Sequence, residues 1–243
     1  MGRATWTVGT AGLLGLFLSC TLTTSLDDLA GGAPIVDAAV DADKPDAATD
    51  GDGALDGSGG GPLTLTLVVQ YADDVIRVGD TTVELPGAEY SAGTLGGTVS
   101  KMTRSGVRYR SVDLPQAAQI ISATLTLTAR ELQTGVSTNT RFSAQDDDDA
   151  VPFVAIAADF DARPRTDPIV WNRIEPWAPG SAYTAPDLSP IVQAVVNRPG
   201  WAPGNSLVVF WNDNGSTAPD CQRVAYSFTG SPVKAPALTV TYR

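Results

Sequence analysis

From Leu63 onward one local pattern recurs: short runs in which β-branched or aromatic residues alternate with polar ones, separated by Gly, Pro, Asn and Asp. The runs are LTLTLVVQY (63–71), VIRV with TTVEL (75–85), VRYRSV (107–112), IISATLTLTAR (120–130), STNTRFSAQ (137–145), FVAIAA (153–158), IVWN (169–172), SLVVFW (206–211), RVAYSF (223–228) and ALTVTY (237–242). Period-two runs bounded by turn residues predict strands. In ATLTLTAR, Leu125 and Leu127 share one face while Thr124, Thr126 and Thr128 share the other, as an antiparallel sheet with one solvated side requires. One segment departs from this period. In DLSPIVQAVVNRPGW, Leu188, Ile191, Val192, Val195 and Val196 recur at three and four, which is helical spacing. Asp187 or Ser189 can accept from the first-turn N–H groups, Pro190 is tolerated in that turn, and Pro199 turns Arg198 away from helix. The pattern therefore predicts an all-β fold, an antiparallel two-sheet, jelly-roll-like β-sandwich with one short helix at its end.

The pattern stops abruptly on the N-terminal side of Leu63. Residues 21–62 hold nine Asp, one Lys, much Ala and Gly, and no aromatic residue. Such a segment cannot bury enough apolar surface to offset its ordering entropy and is expected to be a disordered linker. As a flexible coil it spans roughly 35 Å. Of the formal charge of −11, this stretch carries −8; fourteen basic and eighteen acidic residues in 63–243 leave that part at −4. Three segments follow: 1–19, a leader; 20–62, a spacer; and 63–243, one β-sandwich domain.

Composition narrows the chemistry. The 243 residues include no histidine and two cysteines, Cys20 and Cys221. Without an imidazole, neither a Ser-His-Asp nor a Cys-His nucleophile can be assembled, and a typical zinc site lacks its ligands. Carboxylate pairs, Ser/Lys chemistry and oxygen-ligated cations remain. A pI near 4.3 argues against nucleic acid, which needs a basic face.

The first residues supply an address. Arg3 precedes an apolar stretch from Trp6 to Leu18, too short to span a bilayer and fitting a secretory signal peptide. The tetrapeptide FLSC that closes it resembles a bacterial lipobox, although Phe17 stands where leucine is usual. That resemblance implies cleavage before Cys20, lipidation of its thiol, and a membrane as partner through the lipid anchor. Thr21 after the cysteine implies outer-membrane sorting, by the same resemblance.

A second resemblance covers the domain. YRSVDLPQAAQIISATLTLTAR, RFSAQDDDDAVPF, RPRTDPIVWN and APDLSPIVQAVVNRPGWAPGNSLVVFW, with a final ALTVTY strand, are similar to DNRLRE-type modules and to jelly-roll carbohydrate-binding modules of secreted and surface-attached bacterial proteins. The resemblance implies extracytoplasmic deployment and a non-catalytic accessory role. It assigns no ligand. Cys221 and the run of four Asp depart from the pattern.

Within the domain, Asp146, Asp147, Asp148 and Asp149 are adjacent carboxylates that need a counter-ion if they are compact. Oxygen-only ligands suit Ca²⁺, with Asp73, Asp74, Asp159 and Asp161 as further contributors; a solvated loop is the alternative. Trp177 and Tyr183, in EPWAPGSAYTAP, are expected to be the more exposed aromatics. Packing against a sugar ring is one reading of them and structural packing the other. Trp201 and Trp211 read as core. Asp213-Asn214-Gly215 reads as a hairpin turn, Cys221 as a buried thiol, and Arg163 and Arg165 as partners of Asp159 or Asp161. The glutamates Glu84, Glu89, Glu131 and Glu175 sit in no hydrolase motif. The sequence thus points to a surface-anchored, non-catalytic binding or adhesion module for polysaccharide. A structural envelope protein that contacts a surface protein is the alternative, and a carboxylate hydrolase a third.

Overall fold

The computed structural model describes residues 61–95, 101–133, 137–216, 218 and 221–243, all within the compact unit Leu55–Arg243. Cys20, the leader and the spacer lie outside the described residues. Among the described residues twelve strands are formed: β1 (Leu63–Val68), β2 (Val75–Val78), β3 (Val83–Glu84), β4 (Glu89–Leu95), β5 (Lys101–Tyr109), β6 (Ile120–Thr128), β7 (Thr138–Ala144), β8 (Ile169–Ile174), β9 (Ala182–Thr184), β10 (Leu207–Asp213), β11 (Cys221–Tyr226) and β12 (Ala237–Tyr242). Helix α1 (Ala157–Ala162) precedes β8, and α2 (Ser189–Val196) lies between β9 and β10. The chain is an all-β, two-sheet antiparallel sandwich, as the alternation predicts.

The smaller sheet runs β1-β12-β6-β9 and the larger β11-β4-β5-β10-β7-β8, with β2 and β3 added beside β5. Register follows the amphipathic pattern. Leu125 faces Leu238 across β6 and β12, and Thr124 faces Thr239, so leucines point into the sandwich and threonines to solvent. The main core joins Leu125, Leu127, Leu238 and Val240 to Tyr90, Val107, Phe142, Val209 and Trp211 of the larger sheet. Helix α2 closes one end with Ile191, Val192, Val195 and Val196 buried. Just past it, Trp201 is buried, and its indole N–H donates to Leu114 O at 2.9 Å.

Two strands lie where no run is apparent. In β4, Tyr90, Ser91, Ala92 and Thr94 are all buried, so no solvated face imposes an alternation. The Ser105 hydroxyl accepts from Ser91 N–H and donates to Ser91 O, linking two small polar residues through a side chain. Gly93 has φ +120, and a Cβ there would overlap Cys221 O. Strand β9 has only three residues. Strand β5 begins at Lys101 and stops at Tyr109, short of Ser111, whose φ of 51 breaks the extended run.

FVAIAA (153–158), expected as a strand, forms none; it crosses the outside of the larger sheet and enters α1. The reason lies in what it covers. Phe153, Phe160 and Ala150 make a second core with Ile76, Val78, Val208 and Phe210, the residues that alternate with the main-core side chains of β2 and β10. Gly106 permits this approach, because a Cβ there would lie 2.7 Å from Phe153. Arg163, buried beneath the loop, donates to Val151 O at 2.9 Å and Pro152 O at 2.7 Å. These carbonyls are thereby satisfied without a strand partner.

Candidate functional site

The Asp run does not gather around one point. Arg198, just beyond α2, donates through Nε to Asp148 at 2.6 Å and through its terminal nitrogen to Asp146. Asp149 accepts from Ser206 N–H at 2.8 Å, and Asp147 accepts from the Gln145 amide at 3.2 Å. Gly200 lies against Asp148, and a methyl there would overlap its carboxylate. A guanidinium thus lies against two of the four carboxylates. Among the described residues, no group of three or more acidic or thiol side chains is placed to hold a metal. Asp73 and Asp74 are likewise engaged by Arg110, which lies 3.0 and 2.8 Å away. Burial raises the Asp74 carboxyl above its ordinary range even against Arg110 and Arg108.

The expected exposure of Trp177 is corrected. Its side chain is 1 % exposed and belongs to the main core. It packs within 6.0 Å of both Trp171 and Trp211 and stacks on Tyr183. Tyr183 is half-buried, and its hydroxyl accepts from Ala178 N–H at 2.8 Å. Gly180, with φ +78, helps turn the chain into β9 beside β6, and the indole enters the core. Of the remaining expectations, Arg163 does pair with Asp159 at 3.1 Å, whereas Arg104 takes Asp161. Asp213 accepts from the turn N–H groups of Gly215 and Ser216, and Cys221 is buried.

A larger concave surface than the one beside Asp146 lies across the outer face of the larger sheet. An open groove of about 620 Å³ is lined by Asp80, Met102, Thr103, Arg104, Arg141, Asp161, Asn212 and Asp213. Strand alternation positions its floor: Phe142 and Trp211 enter the main core, so their neighbours Arg141 and Asn212 emerge opposite. Arg104 donates to both oxygens of Asp161 at 2.8 and 2.6 Å, a fork that fixes both groups. Asp213 is held by its turn. Arg141 is exposed, and its side chain makes no hydrogen bond or ion pair among the described residues. Met102, 50 % exposed, gives the groove an apolar element.

Beside the groove lies a smaller pocket of about 190 Å³ lined by Arg141, Ser143, Arg165, Thr166, Pro168 and Asn212. Arg165 lies over Phe210 at 3.9 Å and over Phe160 at 4.9 Å, donating to Asn212 Oδ1 at 3.0 Å and Phe160 O at 3.1 Å. Sequence reasoning did not single out Arg104, Arg141 or Asn212. The available signal was the alternation of β7, where Arg141 and Ser143 flank the core residue Phe142, and reading it required knowing which face was covered.

The arrangement can offer hydrogen bonds to hydroxyls and charge to an anion on a rigid sheet. No protein-family model matches the chain, and no curated protein matches it.

Proposed function

We propose that this chain is an extracytoplasmic, non-catalytic module that binds polysaccharide in the groove on the outer face of its larger sheet. It is held to the bacterial outer membrane by a lipid on Cys20 and spaced from it by residues 21–62. The observation that carries the binding reading is the groove of about 620 Å³, in which carboxylate, amide and guanidinium groups converge on a strand-built floor. Such groups hydrogen-bond sugar hydroxyls, and side chains mounted on strands stay in place for them. Two of the three groove carboxylates are already engaged, Asp161 by Arg104 and Asp213 by backbone N–H groups. That favours holding a ligand over proton transfer. Trp177 and Tyr183 belong to the scaffold in this reading, and Met102 supplies the apolar contact.

Anchoring is supported by the lipobox-like FLSC and the acidic spacer. No helix among the described residues is long and apolar enough to cross a membrane. The full chain in detergent, applied to a glycan array, should bind a subset of glycans and lose that binding with Asp80→Ala. An array without binding would reject the reading. Metabolic labelling with a palmitate analogue should mark the wild type and not Cys20→Ala; equal labelling would reject the anchor.

Contact with a surface protein is the second reading. It is favoured by β1, which among the described residues pairs on one side only and leaves Leu63 and Val68 exposed. Edge strands of this kind accept a partner strand. Binding to envelope proteins with a silent array would select it.

A further inference from the structure

The geometry points to a tetrahedral-oxyanion subsite in the smaller pocket, built for a sulfate ester carried by the polysaccharide in the adjoining groove. The polymer part rests on the function proposed above; the oxyanion part does not. Pocket and groove share Arg141 and Asn212, and the pocket lining includes no carboxylate. That is a local reversal of sign in a chain of net charge −11.

The donors are unspent. Arg141 has no partner among the described residues. Arg165 uses two of its five N–H groups, on Asn212 Oδ1 and Phe160 O, and has no carboxylate within ion-pair distance among the described residues. Because Asn212 turns its amide oxygen to Arg165, its NH₂ group is left as a donor. Ser143 is buried and its hydroxyl makes no hydrogen bond among the described residues. Thr166 is already committed, accepting from Ala144 N–H at 3.0 Å, and with Pro168 it shapes the wall.

A partly buried guanidinium without a counter-ion is unfavourable. Burial pushes Arg165 down to about 10; Asp161 opposes the shift, and Arg104 and Arg141 add repulsion. An anion in the pocket would relieve that strain. Its shape follows from the donors. One guanidinium fork is enough to meet both oxygens of a planar carboxylate. Here, guanidinium groups from two separate segments, a hydroxyl and an amide line one pocket, a set of donors large enough to share among the three terminal oxygens of a sulfate ester. The stacking of Arg165 on Phe210 holds one donor plane fixed.

The test uses the full chain in detergent, with dextran, carboxymethyl-dextran of matched charge and dextran sulfate as probes, and sodium sulfate and sodium phosphate as competitors. Dextran sulfate should bind at least about tenfold tighter than carboxymethyl-dextran, and Arg141→Ala should remove about that factor, the scale of one charge-assisted hydrogen bond. Sodium sulfate should compete at constant ionic strength and raise the unfolding midpoint of the wild type but not of Arg141→Ala. Arg141→Lys, which keeps the charge without the fork, should recover only part of the affinity. Equal affinity for the two charged dextrans, stronger competition by phosphate than by sulfate, or an Arg141→Ala variant that binds as wild type would overturn the subsite. If sulfate stabilises the wild type through Arg141 but no polymer binds, the oxyanion pocket stands and the polysaccharide reading fails. If neutral glycans bind while sulfate has no effect, the reverse holds.

Discussion

Tyr183 lies face to face with Trp177, ring centroids 4.5 Å apart and planes 7° from parallel. The Tyr183 hydroxyl accepts from Ala178 N–H, one residue beyond the tryptophan, so the pair closes its own loop. Removing the hydroxyl with Tyr183→Phe should cost about 1 kcal/mol, the usual worth of one such bond. Trp177→Ala should cost about 3–5 kcal/mol, because it empties the core. Urea unfolding measures both. Glycan binding by Tyr183→Phe should equal that of the wild type, and a loss of binding at unchanged stability would return the pair to the binding site.

Gly106 faces Phe153 and Phe160 across the second core, where a Cβ would lie 2.7 and 3.1 Å from their rings. Overpacking of a filled site costs about 1–3 kcal/mol, so Gly106→Ala should lower stability by that amount. Its effect should be local to the covering segment, with faster amide exchange in residues 150–162 than in β6 and β12. Uniform acceleration across the sandwich would instead place Gly106 in the cooperative core.

How much of this was legible in the sequence depends on solvent. The threonine–leucine alternation of β6 and β12, exposed on one side and buried on the other, predicted strands, faces and sandwich. The three-and-four spacing of α2 did the same for the helix. Strand β4 was not legible, because its residues are covered on both faces and carry no alternation. The strand assigned to FVAIAA failed for the converse reason. Its apolar residues cover the larger sheet from outside, and a covering loop and a strand can share one composition. Trp177 was misread because proline and glycine on either side suggested exposure, whereas they turn the chain so that the indole enters the core. Groove residues such as Arg141 and Asn212 lie far apart in sequence and meet only through the pairing of β10 with β7.

Arg198 supplies the positive charge that the Asp146–Asp149 run needs, through Asp146 and Asp148. Wild-type protein should therefore show the same unfolding midpoint in calcium and in chelator. A structural ion at a hundred times its dissociation constant would add about 2.7 kcal/mol. Both ion pairs are partly exposed, so Arg198→Ala should cost only about 1 kcal/mol, an effect that shrinks in high salt. A calcium-dependent midpoint in the wild type would show that the run takes an ion despite Arg198.

Asp187 joins α2 to β6: its carboxylate accepts from Ala123 N–H at 2.8 Å, Ser189 N–H at 3.1 Å and the Ser189 hydroxyl at 2.6 Å. Burial works against the ionised form, but the Ser189 hydroxyl and the two N–H groups outweigh it and hold the carboxyl below its ordinary value of 3.8. Because the folded value is the lower one, the contribution to stability is present above 3.8 and is lost as pH falls through the folded value. Asp187→Ala should then cost about 1 kcal/mol at neutral pH, the usual net worth of a lost hydrogen bond. The gap from wild type should narrow in acid, where the wild-type carboxyl is protonated as well. Asp187→Asn keeps an acceptor without a titrating proton, so its difference from Asp187→Ala should not change with pH. Urea midpoints of the three proteins at neutral and strongly acid pH separate these effects. A gap between wild type and Asp187→Ala that is the same at both pH values would mean that the carboxylate acts only as a neutral acceptor.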